Sequence, residues 1–182
     1  ILPKKKQRKS LMIFIDSVLS CSKSLEEINL KNFKNSYELA LSIVERQNYY
    51  NIALSDQNRS NIRNLLMASK LIEGHGDLSV NNVIFLPNNE YIAIDWFDAF
   101  EIIPVWFDAT HILCTKGVNL LFDSSFFLHV KKSLLRELFI DKILPIDLFI
   151  AWRIAWAANR SIKSGDLDIN LFDKNVHLTL DS

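Results

Sequence analysis

The sequence predicts a mainly α-helical protein that carries one small β-hairpin. Apolar residues recur at helical spacing on both sides of a central segment, and within that segment the pattern changes to short β-rich runs. The chain has 182 residues, of which 49% are hydrophobic and 23% charged, so it is long enough for one domain with a sizeable core. We therefore expect one lobe over residues 11–165, a basic arm or linker over residues 1–10, and an irregular tail over residues 166–182.

Helices are expected in five places, each with an apolar side and a residue type that commonly begins a helix. They are residues 37–53 behind Asn35 or Ser36, residues 57–69 behind Asp56, the segment between Pro104 and Gly117, residues 124–138 behind Asp123 or Ser124, and residues 145–164 opening at Pro145.

The hairpin is expected between residues 82 and 94. Residues 82–86 and 91–94 are rich in β-branched and aromatic side chains, and residues 87–90, Pro-Asn-Asn-Glu, have the composition of a turn. Loops beside such a hairpin are common positions for catalytic side chains.

Composition and charge exclude several classes of protein. Lys and Arg number 21, as do Asp and Glu, so the chain lacks the basic character of a dedicated nucleic-acid binder. Cys21 and Cys114 have no metal-ligand spacing, which argues against a disulfide scaffold or zinc site and fits the reducing cytoplasm. No apolar run reaches the roughly 18–20 residues of a membrane-spanning helix. The basic run at residues 4–9 is expected to be a solvated arm, with a phosphate-binding or nuclear-localisation patch as the alternative.

The central segment is acidic and has no cationic side chain. Lys and Arg are absent between Lys70 and Lys116, and seven carboxylates occur there: Glu73, Asp77, Glu90, Asp95, Asp98, Glu101 and Asp108. Carboxylates that come together without cations repel one another, and they either take up protons or bind a metal ion.

Two motifs flank the predicted hairpin. The string HGDLSVNN occupies residues 75–82 before it, and IDWFD occupies residues 94–98 after it. Because the hairpin reverses the chain, we expect Asp77, Asn82 and Asp95 to lie close together. Such a set suits metal-assisted phosphoryl transfer, in which one carboxylate accepts the proton of the attacking hydroxyl while an amide oxygen and a second carboxylate hold magnesium.

The string HGDLSVNNVIF followed by IDWFDA resembles the aminoglycoside phosphotransferase and choline kinase superfamily, the small-molecule branch of the protein-kinase-like fold. The resemblance covers about residues 71–108. It implies that Asp77 is the catalytic base, that Asn82 and Asp95 bind Mg²⁺ with ATP as phosphoryl donor, and that His75 and Asp108 support the loop. The fold it implies is the helical carboxy-terminal lobe of such a kinase.

The sequence departs from the family pattern in three places. Asp98 stands where the family commonly has Glu, and Ser-Val-Asn at residues 79–81 replaces the frequent His-Pro-Gly. The family also has an amino-terminal nucleotide-binding lobe with a glycine-containing loop and a lysine. The segment before His75 has no such loop, since the first glycine is Gly74. We therefore expect this chain to lack that lobe and to bind ATP weakly by itself.

Two functions from different classes follow from these observations. The first is an ATP- and magnesium-dependent phosphotransferase that acts on a hydroxyl of a small molecule, of aminoglycoside, choline or ethanolamine, amino-acid or sugar type. The alternative is a catalytically silent kinase-like interaction module that lacks the nucleotide lobe. The remaining histidines, His111, His129 and His177, are expected to be structural or exposed. Trp106, Trp152 and Trp156 are expected in the core, with a substrate pocket as the alternative.

Overall fold

The computed structural model describes residues 5–20, 31–45, 54–68, 71–86, 91–95, 101–114, 120–138 and 143–164. Within these ranges the protein is mainly helical, with six α-helices and two small antiparallel sheets of two strands each. The chain divides into two compact units. Unit 1 consists of Ile1–Glu27 and Ser69–Asp141, and unit 2 consists of Ile28–Ala68 and Lys142–Ser182. No helix in the described ranges is long and apolar enough to cross a membrane.

Among the described residues, unit 1 contains three of the helices and the four strands. They are α1 (Lys5–Ser20), β1 (Leu71–Gly74), β2 (Val83–Phe85), β3 (Tyr91–Ala93), β4 (Glu101–Pro104), α4 (Phe107–Cys114) and α5 (Ser124–Leu138), with short 3₁₀ turns at Val80–Asn82 and Leu120–Phe122. Helix α1 contacts α4 and α5, and the ring of Phe14 on α1 packs edge-on against Tyr91 on β3, with centroids 4.2 Å apart.

Helix α1 begins inside the segment that the sequence analysis treats as an arm. The buried side chains Leu11, Phe14, Ile15 and Leu19 recur at helical spacing. The helix formed by this apolar stripe extends back to Lys5 because Lys, Arg and Gln are good helix formers.

The predicted hairpin is confirmed. Strands β2 and β3 pair antiparallel from Val83 opposite Ala93 to Phe85 opposite Tyr91. The second sheet is not predicted from the sequence. In it β1 pairs antiparallel with β4, from Leu71 opposite Pro104 to Gly74 opposite Glu101.

The helix expected between Pro104 and Gly117 begins only at Phe107, because Pro104 is the last residue of strand β4. Gly117 lies outside the described residues. Helix α5 begins at Ser124 and is capped as expected by Asp123, whose carboxylate accepts a hydrogen bond from the Ser125 backbone N–H at 3.0 Å.

Unit 2 contains α2 (Lys31–Glu45), α3 (Asp56–Ala68) and α6 (Pro145–Ser164), and α6 packs against both of the others. The start predicted for α2 at Asn35 or Ser36 is wrong, because the helix already begins at Lys31. Its predicted continuation over residues 46–53 lies outside the described residues.

Two helix starts in unit 2 depend on side-chain hydrogen bonds. The predicted cap of α3 is displaced by one residue, since Ser55 Oγ, rather than Asp56, accepts a hydrogen bond from the Asn58 N–H at 3.1 Å. Helix α6 opens at Pro145 as expected, and the buried Asp147 accepts a hydrogen bond from the Leu144 N–H at 3.0 Å. The predicted tail, residues 166–182, lies outside the described residues.

Candidate functional site

The site is built on the loop that follows strand β1, residues 75–79 in unit 1. Gly76 within it has φ of 76°, a left-handed conformation that glycine adopts without steric cost. The glycine therefore allows the chain to turn sharply between the buried His75 and the exposed Asp77.

Asp108 on helix α4 holds this loop through the backbone. Its side chain is buried, Oδ2 accepts a hydrogen bond from the His75 N–H at 2.7 Å, and Oδ1 accepts one from the Gly76 N–H at 3.0 Å. Gly74 makes this approach possible, since a Cβ at that position would overlap the Ile103 side chain and come within 2.7 Å of Asp108 Oδ2. The charge of a buried carboxylate is thus offset by two backbone donors.

His75 connects the loop to the end of the hairpin. Its Nδ1 accepts a long hydrogen bond of 3.4 Å from the Asp77 N–H, which leaves Nε2 as the protonated nitrogen. The Nε2–H then donates to the Ile94 carbonyl oxygen at 3.0 Å. Because His75 is buried, this imidazole fixes the residue before Asp95 relative to Asp77.

Asn82 makes a second connection between the two motifs. Its side-chain Nδ2–H donates to the Asp77 backbone carbonyl oxygen at 2.9 Å. Its backbone carbonyl oxygen accepts a hydrogen bond from the Ile94 N–H at 2.8 Å. Ile94 is therefore hydrogen-bonded on both sides, to His75 and to Asn82. Asp95, the next residue, is exposed and has φ of 63°, an unusual value for a residue with a side chain.

The Asp77 carboxylate is held by His111, which is not among the site residues predicted from the sequence. His111 on α4 lies with Nε2 at 3.1 Å from Asp77 Oδ1, and its side chain is 4% exposed against 58% for Asp77. Burial lowers the pKa of His111 from 6.5 to about 4; the Asp77 carboxylate acts in the opposite direction, and His75 lowers it further. His111 is therefore neutral at pH 7 and donates its Nε2–H.

A pattern in the sequence points to His111. Helix α4 is short and mostly apolar, and Asp108 and His111 are three residues apart on it, so the two polar side chains share one helix face. One holds the backbone of the loop and the other holds the side chain of Asp77.

Asn82 and Asp95 carry oxygen atoms of the kind that Mg²⁺ prefers, and they are the residues that could hold such an ion together with a nucleotide. Mg²⁺ prefers oxygen ligands and is commonly held by one or two protein groups together with phosphate oxygens and water. Asn82 is half-buried and Asp95 is exposed, so both are open to solvent. The Asn82 amide donates from Nδ2 to the Asp77 carbonyl oxygen, which leaves Oδ1 as the atom that could bind a metal ion. The described ranges contain no group of three or more His, Cys, Asp or Glu side chains that would hold a metal without a nucleotide. Asp98 lies outside these ranges.

The other aromatic and histidine residues are placed as follows. Trp106 is fully buried in unit 1, which agrees with the core position expected for it. In unit 2, Trp152 is buried, and the Arg153 guanidinium lies 5.5 Å from the centre of its ring and 5.4 Å from that of Trp156. His129 Nε2 lies 2.9 Å from Asp16 Oδ1 on α1, and His177 is outside the described residues.

Comparison with known proteins gives no relatives on which to base a function. No family model matches the chain, and neither a curated protein nor a solved structure matches it.

Proposed function

We propose that the chain is the catalytic lobe of a phosphotransferase that uses ATP and Mg²⁺ to phosphorylate a hydroxyl of a small molecule. One observation carries the proposal. Asp77, Asn82 and Ile94 form one hydrogen-bonded network with His75, so the loop that carries Asp77 and Asn82 is joined to the residue before Asp95, which supports the proposal. The cytoplasm, which supplies ATP and Mg²⁺ and keeps cysteines reduced, is the compartment that we propose.

In this reaction the residues have separate tasks. The acceptor oxygen forms a bond to the γ-phosphorus while the bond between that phosphorus and the β–γ bridging oxygen breaks, and ADP leaves. The exposed Asp77 carboxylate accepts the acceptor proton. Bound Mg²⁺ would neutralise charge on the phosphates, and Asn82 and Asp95 are the residues that would hold it. Asp108 holds the backbone of the loop that carries Asp77 through the His75 and Gly76 N–H groups.

An exposed apolar face of the hairpin is a second observation in support of the proposed nucleotide site. Ile84 and Ile92 are opposite each other across β2 and β3, and Ile94 follows on the same face by the two-residue period of a strand. All three are between 37% and 49% exposed. Such an apolar face beside the proposed metal ligands suits the flat surface of a purine base.

The test is phosphoryl transfer by the complete product of the native gene, identified first by its intact mass in the native cell. ADP release from Mg-ATP is measured with pooled acceptors of aminoglycoside, amino-alcohol, amino-acid and sugar type. We expect one pool to accelerate ADP release and to yield a phosphorylated acceptor. Asp77→Asn should reduce that rate by at least 10²-fold, the usual minimum contribution of a general base.

Asp123→Asn is the matched control, because Asp123 caps α5 in the same unit and has no part in the site. It should retain the wild-type rate. Wild-type activity in Asp77→Asn would show that Asp77 is not the base. No transfer to any pool, together with no binding of Mg-ATP, would favour the silent interaction module.

A further inference from the structure

The side chain of Asp77 is held much less firmly than its backbone. The Asp77 N–H donates to His75, and its carbonyl oxygen accepts hydrogen bonds from the Ser79 N–H and from Asn82 Nδ2, both at 2.9 Å. Its carboxylate is more than half exposed, and among the described residues it has one hydrogen-bond partner, His111 Nε2. Without that contact the exposed carboxylate would change between rotamers. The hydrogen bond to His111 therefore determines which of its two oxygens faces outward.

Two properties of His111 make it suitable for this task. It is buried on a helix whose residues 107–113 are all buried, so its own position is fixed by packing. It is also neutral. A neutral N–H donor orients a carboxylate, and it stabilises the ionised form less than a charged lysine or arginine would, so the carboxylate remains a better base. A general base needs both a fixed orientation and enough basicity to accept a proton.

We propose that His111 is a positioning residue for the general base: its Nε2–H holds Asp77 Oδ1 and thereby directs Oδ2 to the acceptor hydroxyl. This inference rests on the proposed function, in which Asp77 accepts the acceptor proton. His111 itself gives up no proton and touches neither the acceptor nor the nucleotide. Its effect is therefore on the rate of the chemical step rather than on binding of ATP.

The first test uses substitutions that keep or remove the donor atom. In His111→Gln the side-chain amide places an N–H close to the original Nε2, whereas in His111→Asn the shorter amide cannot reach Asp77. His111→Leu keeps the approximate volume and has no donor. We expect kcat to fall 10- to 100-fold in the Leu and Asn variants, with the KM for ATP unchanged, and to stay within about 3-fold of wild type in the Gln variant.

Cys114→Ala on the same helix is the control for packing and should behave as wild type. Equal kcat in the Gln and Asn variants, or a loss that appears in the KM for ATP instead of kcat, would overturn the proposal. If Asp77→Asn abolishes transfer and His111→Leu does not reduce it, only the positioning role fails. If Asp77→Asn is fully active, Asp77 is not the base and the positioning role of His111 fails with it. If the wild-type protein transfers no phosphoryl group to any acceptor, the proposed function fails.

A second test does not depend on activity or on a variant that folds. The imidazole ¹⁵N spectrum of the wild-type protein at pH 7 reports the protonation of His111 directly. We expect a neutral ring that is protonated at Nε2. A ring protonated only at Nδ1, or a charged ring, would contradict the proposal.

Discussion

Removal of the Asp108 carboxylate should release the loop that carries Asp77. In Asp108→Ala the N–H groups of His75 and Gly76 lose their buried acceptors, which lie at 2.7 and 3.0 Å in the wild-type protein. A buried donor left unpaired costs about 1–3 kcal/mol, so the two together give about 2–6 kcal/mol. Asp123→Ala removes a helix cap in the same unit and should cost about 1 kcal/mol.

Amide hydrogen exchange measures this effect locally. The loss in Asp108→Ala should appear as faster exchange at His75 and Gly76 in particular, whereas Asp123→Ala should affect the start of α5. Phosphoryl transfer should fall with the loss of loop protection. If the His75 and Gly76 amides exchange at the wild-type rate in Asp108→Ala, or if both variants cost the same, then Asp108 does not hold the loop.

Three further predictions concern single residues of the same site. Asp95→Gly should leave the free energy of unfolding unchanged or raise it by up to about 1 kcal/mol, since glycine tolerates the φ of 63°, yet it should abolish magnesium-dependent transfer; a destabilised variant would argue against strain at Asp95. Gly76→Ala should lower the free energy of unfolding by about 1–2 kcal/mol because φ is 76° there, and urea unfolding at the wild-type midpoint would contradict this. His111 should make the protein acid-sensitive. Its folded-state pKa is depressed, so its contribution is complete above pH 6.5. About 3 kcal/mol is lost as the pH falls from 6.5 to about 4, because over this range the unfolded chain takes up the proton and the folded chain does so only near pH 4. His111→Gln should show a shallower decline in that range, and parallel curves would exclude the effect.

The hairpin and most helix positions follow from local sequence because their signals are local. The turn composition of residues 87–90 and the β-rich runs beside it are enough to predict the pairing of β2 with β3, and Pro145 and Asp123 mark the starts of α6 and α5. The start of α2 was missed because Asn35 and Ser36, which often cap helices, lie inside this one.

The second sheet could not be predicted in this way, and the sequence shows only that His111 shares a helix face with Asp108, not that it reaches Asp77. Leu71 pairs with Pro104 from a distant part of the chain, and a strand of four residues is too short to show a period. Strand β4 leads directly into α4, and His111 on α4 contacts Asp77, which lies far from it in the sequence. The hairpin alone predicts that Asp77, Asn82 and Asp95 lie close together, whereas the contact of His111 with Asp77 depends on the tertiary packing of α4.

The claim that Asn82 and Asp95 form a metal–nucleotide site is best tested with Mn²⁺-ATP, a paramagnetic form of the magnesium nucleotide. In the complete gene product, labelled with ¹⁵N, the claim predicts line broadening centred on the amides of Asn82 and Asp95, with Asp123 unaffected. The broadening should disappear in Asn82→Ala and in Asp95→Asn. Broadening that survives both substitutions, or that is absent at millimolar nucleotide, would contradict the claim that these residues form a metal–nucleotide site.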